Sequence, residues 1–381
     1  MIGIERKEQY ICRKVLIPMS VEQQQNINTK KKKKILSNIF TAAVILSAIV
    51  IMVWFCFTSS DLDELAEVFF TLNMWWIAAA VCCMVLRWVF ESLVLYFLGK
   101  DANNEYRFKD AFFTTMAGQY FNAITPFSSG GQPFQFYQLK RSGIDGAIAT
   151  AVLLQKFFIY QSALTAYSLI LIILRFKFFM TEVSNFALLA LVGFSIQLVA
   201  IIISWIFMRS ERLTGAVVRG ITVLLSKLHI VKKREAILAK LNEKVESFSS
   251  CNRIMHKNKR LFVKCYLATF VQETVFFLVV FFVVLAFGGE CTDVITLIAA
   301  QCFVSVATFF FPLPGAAGAS EGGFLLFAYK FFTPAARVPA TLLWRIITYY
   351  ISIIAGAPFA VLWKGSKDFS KQEQTDESKT E

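Results

Sequence analysis

Five ionisable side chains fall inside long apolar runs, Arg87, Glu91, Lys156, Glu273 and Arg345, and a sixth, Glu321, lies in a break between two such runs. A charge at the centre of a bilayer costs about 2.5–3.5 kcal/mol even on the milder insertion scales. Such groups are expected to face one another or a polar cavity, where mixed signs can hold a headgroup that is itself charged. Two polar stretches interrupt the same apolar background. One is "GQYFNAITPFSSGGQPF", Gly118 to Phe134, with Gln119, Asn122, Pro126, Gly130, Gly131 and Gln132; the other is "PLPGAAGASEGG", Pro312 to Gly323, with Pro312, Gly315, Gly318 and Glu321.

Each stretch has the composition of a helix that stops and restarts. Gly130 or Gly131 can take a turn and Pro133 suits a first helical turn, where its missing N–H costs nothing. Ser320 can cap a new helix with Glu321 in its first turn. A restarted helix points free N–H groups and a partial positive charge at its surroundings, which suits a phosphate. The plainer readings are Pro/Gly kinks without a ligand and, for Arg87 and Glu91, an i,i+4 pair that neutralises itself.

The elements that must position these residues are membrane helices. Hydrophobic residues make up 56% of the 381 positions, charged residues only 17%, and 40 are Phe. Apolar windows recur near 35–58, 75–98, 147–174, 186–208, 261–287 and 339–363, each long enough to cross a hydrocarbon core of about 30 Å. The expected fold is an all-α polytopic integral membrane protein. It has about six full transmembrane helices and two re-entrant broken hairpins, 111–139 and 294–332, entering from opposite faces as in an inverted repeat. An eight-span arrangement with both broken segments crossing is the rival. The expected organisation is a basic leader over 1–34, a transmembrane domain over 35–365 with an amphipathic linker at 209–260, and a polar tail over 366–381.

The formal net charge is +13. The basic residues cluster beside apolar spans, which implies topology and contact with anionic lipid more than nucleic acid. Lysines 30–34, 100, 109, 140 and 364 place both termini in the cytoplasm of a cell membrane, although Arg175, Lys177, Lys330 and Arg337 then fall outside. No cleavable signal segment is expected ahead of the first run. The 8 Cys are scattered without a C-x-x-C pair, and the 2 His lie in a basic polar stretch. No metal, no cofactor and no nucleotide-driven transport is therefore expected.

The motifs "TPFSSGGQPFQFYQLKRSGI", "PLPGAAGASEGGF" and "WRIITYYISIIAG" resemble the lysylphosphatidylglycerol synthase transmembrane-region family, flippase-like membrane domains related to the N-terminal half of the multiple peptide resistance factor. The resemblance covers about residues 35 to 365. It implies that Pro126, Gly130, Gly131, Gln132 and Pro133 match the first motif, that Pro312, Pro314, Gly315, Gly318 and Glu321 match the second, and that Arg345 is the arginine of the last span. It implies a translocase for an aminoacylated or other polar phospholipid, the partner being an anionic or lysylated membrane lipid. The alternative is a phosphatidylglycerol lysyltransferase, acting alone or with a separate synthase subunit. No synthase half is expected in the short tail, and a homo-oligomer stays open.

Overall fold

The computed structural model describes residues 71–182, 186–209, 258–290, 293–309 and 311–362. The expected first span at 35–58, most of the amphipathic linker and the tail lie outside these residues. Among the described residues every regular element is helical, as the apolar runs require: with no water to satisfy backbone groups, a spanning segment must bond within itself.

The first long helix, α1 (Met74–Ala102), starts at Asn73, whose side chain accepts from the Trp75 N–H. A helix–break–helix unit follows: α2 (Phe108–Ala123), a 3-10 turn over Pro126–Ser128, and α3 (Gly131–Arg141). Then come α4 (Gly146–Leu174), the short α5 (Phe176–Glu182) and α6 (Phe186–Arg209). Beyond the linker, α7 (Lys259–Ala286) opens the second half. It leads to a second broken unit: α8 (Val294–Thr308), a 3-10 turn over Pro314–Ala316, and α9 (Ala319–Phe331). The last run starts at 334 and holds α10 (Arg337–Arg345), a π-helical turn over Ile346–Tyr350 and α11 (Ile351–Leu362). Four of these runs are long and apolar enough to cross a membrane: α1, α4, α7 and the 334–361 run.

The arms of the broken units are too short to do so alone. At 1.5 Å per residue, the 16 residues of α2 reach about 24 Å and the 11 residues of α3 about 17 Å. In each unit the arms instead pack on each other or on the helix that follows. Phe121 of α2 stacks on Phe134 of α3 at 4.5 Å between ring centres, and Phe324 of α9 stacks on Trp344 of α10 at 4.8 Å.

The core forms around α1 and α7, which run antiparallel. The Asn73 N–H at the start of α1 donates to the Ala286 carbonyl at the end of α7 (3.0 Å), while at the other end Asn258 Nδ2 donates to Asp101 Oδ1 (3.0 Å). Met84, Trp88, Phe277, Val283, Phe303, Phe327 and Ile347 are all buried in one cluster drawn from both halves.

Packing between the halves is reciprocal. α2, the leading arm of the first broken unit, lies antiparallel on the π-helical turn and α11: Ala123 meets Tyr349, Met116 meets Gly356, and Phe113 meets Phe359. α8, the leading arm of the second unit, lies antiparallel on α4: Tyr160 stacks on Phe309 at 6.0 Å, and Arg175 Nη2 pairs with Asp293 Oδ1 at 2.8 Å. Each leading arm thus rests on the long helix that follows the other unit.

Candidate functional site

The two breaks meet. The Pro126–Ser128 turn packs directly against the Pro314–Ala316 turn, and the two share one backbone form. A proline is followed by two residues with left-handed φ: Phe127 (54°) and Ser128 (50°) in the first, Gly315 (58°) and Ala316 (53°) in the second. The sequence places the turn of the first break on Gly130 or Gly131. In the structure Gly130 has φ −76° and caps α3, and the strained positions are the exposed Phe127 and its neighbour Ser128. The glycine is needed at 131 for space, because a Cβ there would run into the Asn122 side chain and the Gly118 carbonyl.

The restarted helices are not left with bare amide ends. Gly131 N–H donates to Asn122 Oδ1 (2.9 Å) and Gly130 N–H to Thr125 Oγ1 (2.8 Å). At α9 the cap is Gly318 (φ 84°), not Ser320, and its N–H donates to Glu321 Oε2 at 2.7 Å. Ser320 is buried and reaches the Gly315 carbonyl at only 3.5 Å. A side-chain oxygen thus accepts from each of the Gly130, Gly131 and Gly318 N–H groups, the place a ligand anion would otherwise take.

Glu321 has a second partner. Its Oε1 lies 2.7 Å from Arg345 Nε, a charge contact rather than a well-aligned hydrogen bond, with both side chains largely enclosed. Arg345 Nη2 donates to the Gly315 carbonyl, and its guanidinium sits 4.4 Å over the Tyr349 ring. Tyr349 completes the junction: its hydroxyl donates to the Ala123 carbonyl at 2.9 Å, and its ring occupies the space a Cβ on Gly315 would need. The π-helical turn begins immediately after Arg345. Such a widened turn shifts the side chains around it and is frequent at functional sites.

A second polar group lies among α1, α2, α3 and α4. Lys156 Nζ pairs with Glu91 Oε1 at 2.9 Å and contacts Gln135 Oε1 at 3.3 Å, while Gln119 Nε2 donates to Glu91 Oε2. The i,i+4 reading of Arg87 with Glu91 does not describe this arrangement. Glu91 is taken by Lys156, and Arg87 lies 3.9 Å over the Phe276 ring of α7. Glu273 is buried, with Gln272 Nε2 donating to its Oε1 at 3.1 Å. Arg87, Glu91 and Tyr160 lie within electrostatic range of it.

The sequence-derived site residues therefore fall into two groups. Asn122, Pro126, Gly130, Gly131, Gly315, Gly318, Glu321 and Arg345 assemble at the junction of the breaks. Gln119, Glu91, Arg87 and Glu273 assemble around Lys156 and Tyr160. Gln132 and Pro312 are exposed beside the turns, and no contact draws them into either group. Sequence reasoning passed over Tyr349 and Gln135, since a tyrosine in an apolar span reads as a hydrophobe and a glutamine on a short helix reads as surface. Among the described residues no group of three or more His, Cys, Asp or Glu could hold a metal ion.

Comparison with known proteins gives a family match over residues 39–356, to the region described as the lysylphosphatidylglycerol synthase TM region. Two archaeal relatives are similar, each named UPF0104 membrane protein. The one from Methanothermobacter thermautotrophicus is 27% identical over 248 residues, covering 62% of this chain and 70% of its own. The one from Archaeoglobus fulgidus is 23% identical over 318 residues, covering 82% of this chain and 94% of its own.

Proposed function

The chain belongs to the lysylphosphatidylglycerol synthase transmembrane-region family, and is a multi-pass membrane protein; we propose that it moves a polar phospholipid, aminoacylated or anionic, between the leaflets of a cell membrane. One observation carries this reading: two broken units from opposite halves of the chain meet turn to turn, beside an enclosed Arg345–Glu321 pair. Irregular backbone at membrane depth is tolerated where protein buries it or where it lines a water-filled cavity, and at the meeting of inverted repeats it is a recurrent place for a substrate. On this reading the broken units are re-entrant hairpins, α6 and the span expected from sequence at 35–58 bring the count to about six, and both termini are cytoplasmic.

The residues then take defined roles. Glu321 stands where an incoming phosphate would go, at the amide end of α9 and against Arg345. A lipid phosphate would replace it there, exchanging one anion for another on Arg345 and the Gly318 N–H. The displaced carboxylate would be free to balance a cationic headgroup such as a lysyl ester. Glu91, held by Lys156 and Gln119, and Glu273 would supply further negative charge along the route.

The test uses the purified protein in sealed vesicles carrying lysylated phosphatidylglycerol, with an impermeant amine label reporting the exposed fraction. The parent should raise that fraction over protein-free vesicles and Glu321→Gln should not, while inserting equally well. Equal exposure for both proteins would remove Glu321 from the mechanism. No exposure above protein-free vesicles with either protein would remove the translocase reading. New lysyl-lipid made from lysyl-tRNA and phosphatidylglycerol would assign a transferase instead.

A further inference from the structure

At the end of the bundle where α1 stops and α7 begins, away from both polar groups described above, lies an open pocket of about 380 Å³. Phe97 and Leu261 give it an apolar floor, and Lys100, Arg260 and Lys264 ring it, against the single carboxylate of Asp101. That carboxylate is already engaged by Asn258 Nδ2, while the Asn258 Oδ1 accepts from the Leu261 N–H and so holds the first turn of α7. Lys100 is steadied against Tyr96, with Nζ donating to the phenol oxygen at 3.0 Å.

The charges here oppose the helix they stand on. The N-terminal end of a helix carries a partial positive charge and favours Asp or Glu. The first turn of α7 has no acidic residue and instead carries Lys259 and Arg260, with Lys264 one turn on. Lys100 from the end of α1 joins Arg260 and Lys264 around the pocket, three cations among which an anion would offset the like charge. Below the cations the outer face of α7 continues as exposed apolar side chains, Val263, Leu267 and Val271, spaced along one stripe. Both helices are long and apolar enough to span, so the pocket lies at the polar boundary of that span, where headgroups sit.

We propose that this pocket binds the phosphate headgroup of an anionic membrane phospholipid, with its acyl chain along the Val263–Leu267–Val271 stripe of α7. The bound lipid bridges Lys100 on α1 to Arg260 and Lys264 on α7, and so clasps the antiparallel pair at the centre of the fold. This occupancy is separate from translocation. It needs no opening of the breaks, and its measurement does not depend on transport.

The experiment is native mass spectrometry of the whole purified chain, released from detergent containing equal amounts of phosphatidylglycerol and phosphatidylcholine. The parent should retain phosphatidylglycerol preferentially. The variant Lys100→Gln/Arg260→Gln/Lys264→Gln should bind it on the order of a hundredfold more weakly, at about 1 kcal/mol per basic residue near the membrane surface. A control, Lys177→Gln/Lys330→Gln, should keep the preference. If the triple variant unfolds, the single reversal Lys264→Glu is read in its place, with the same expected direction. Equal retention by parent and variant overturns the proposal. Displacement of phosphatidylglycerol by millimolar inorganic phosphate overturns the lipid assignment and leaves a site for free anions.

Discussion

The Tyr349 hydroxyl of the last run donates to the carbonyl of Ala123 at 2.9 Å, joining residues 226 positions apart where α2 ends and the first break begins. The same ring lies under the Arg345 guanidinium and against Gly315. One side chain therefore holds both breaks and the arginine between them.

Replacing it with phenylalanine removes the hydroxyl and leaves a carbonyl without its partner. Tyr349→Phe should lower stability by about 1–3 kcal/mol, read as a fall in unfolding temperature in detergent. An unchanged transition would mean that the contact carries no load.

Gly315 is confined twice, by its left-handed φ of 58° and by the Tyr349 ring. Gly315→Ala should cost about 1–3 kcal/mol through strain and overpacking. A Cβ on Gly322, inside α9, would meet nothing within 4 Å, so Gly322→Ala should not destabilise and is expected to gain up to about 1 kcal/mol of helix propensity. Comparing the two unfolding curves separates a steric requirement at 315 from a general dislike of alanine near the break.

Lys156 and Glu91 form an enclosed pair. Lys156→Met strands the carboxylate and should destabilise by about 3–5 kcal/mol, whereas Lys156→Met with Glu91→Gln should recover much of that loss. A double-mutant cycle checks this, and additivity of the two single effects would show the pair to be uncoupled.

Asp293 caps α8. Burial opposes its charged form, but hydrogen bonds from the Thr296 hydroxyl and N–H, together with Arg175, outweigh that and hold the carboxyl below its usual value. A carboxyl lowered in the folded state contributes stability above its unfolded pKa of about 3.9, and the contribution is lost as pH falls through the folded value. Stability should drop on acidification below about pH 4 more steeply in the parent than in Asp293→Asn, with a small difference because the side chain is half exposed.

Hydropathy made the long helices readable, since α1, α4 and α7 follow from where apolar runs begin and end. The breaks were readable too, because Pro and Gly beside Gln and Glu cannot continue a spanning helix. The pairing of charges was not. Arg87 and Glu91 lie one helical turn apart and invite each other, yet Lys156 reaches Glu91 from α4 because the α1–α4 contact brings it there. The left-handed turn was misplaced for a related reason. Glycine signals either a positive φ or a close approach, and at Gly131 the second applies while Phe127 and Ser128 bear the first. Charge alone also left Arg175 stranded on the expected outer side, where Asp293 meets it from α8.

Reciprocal support between the halves limits how such a protein can be divided. A fragment ending at α6 would keep the α2–α3 unit but lose α11 and the π-helical turn before it, the surface on which α2 rests. A fragment starting at α7 would keep α8 but lose α4. Each piece would present a lone apolar ledge shaped for the other, so the two should behave as complementing fragments that regain their shape only in each other's company.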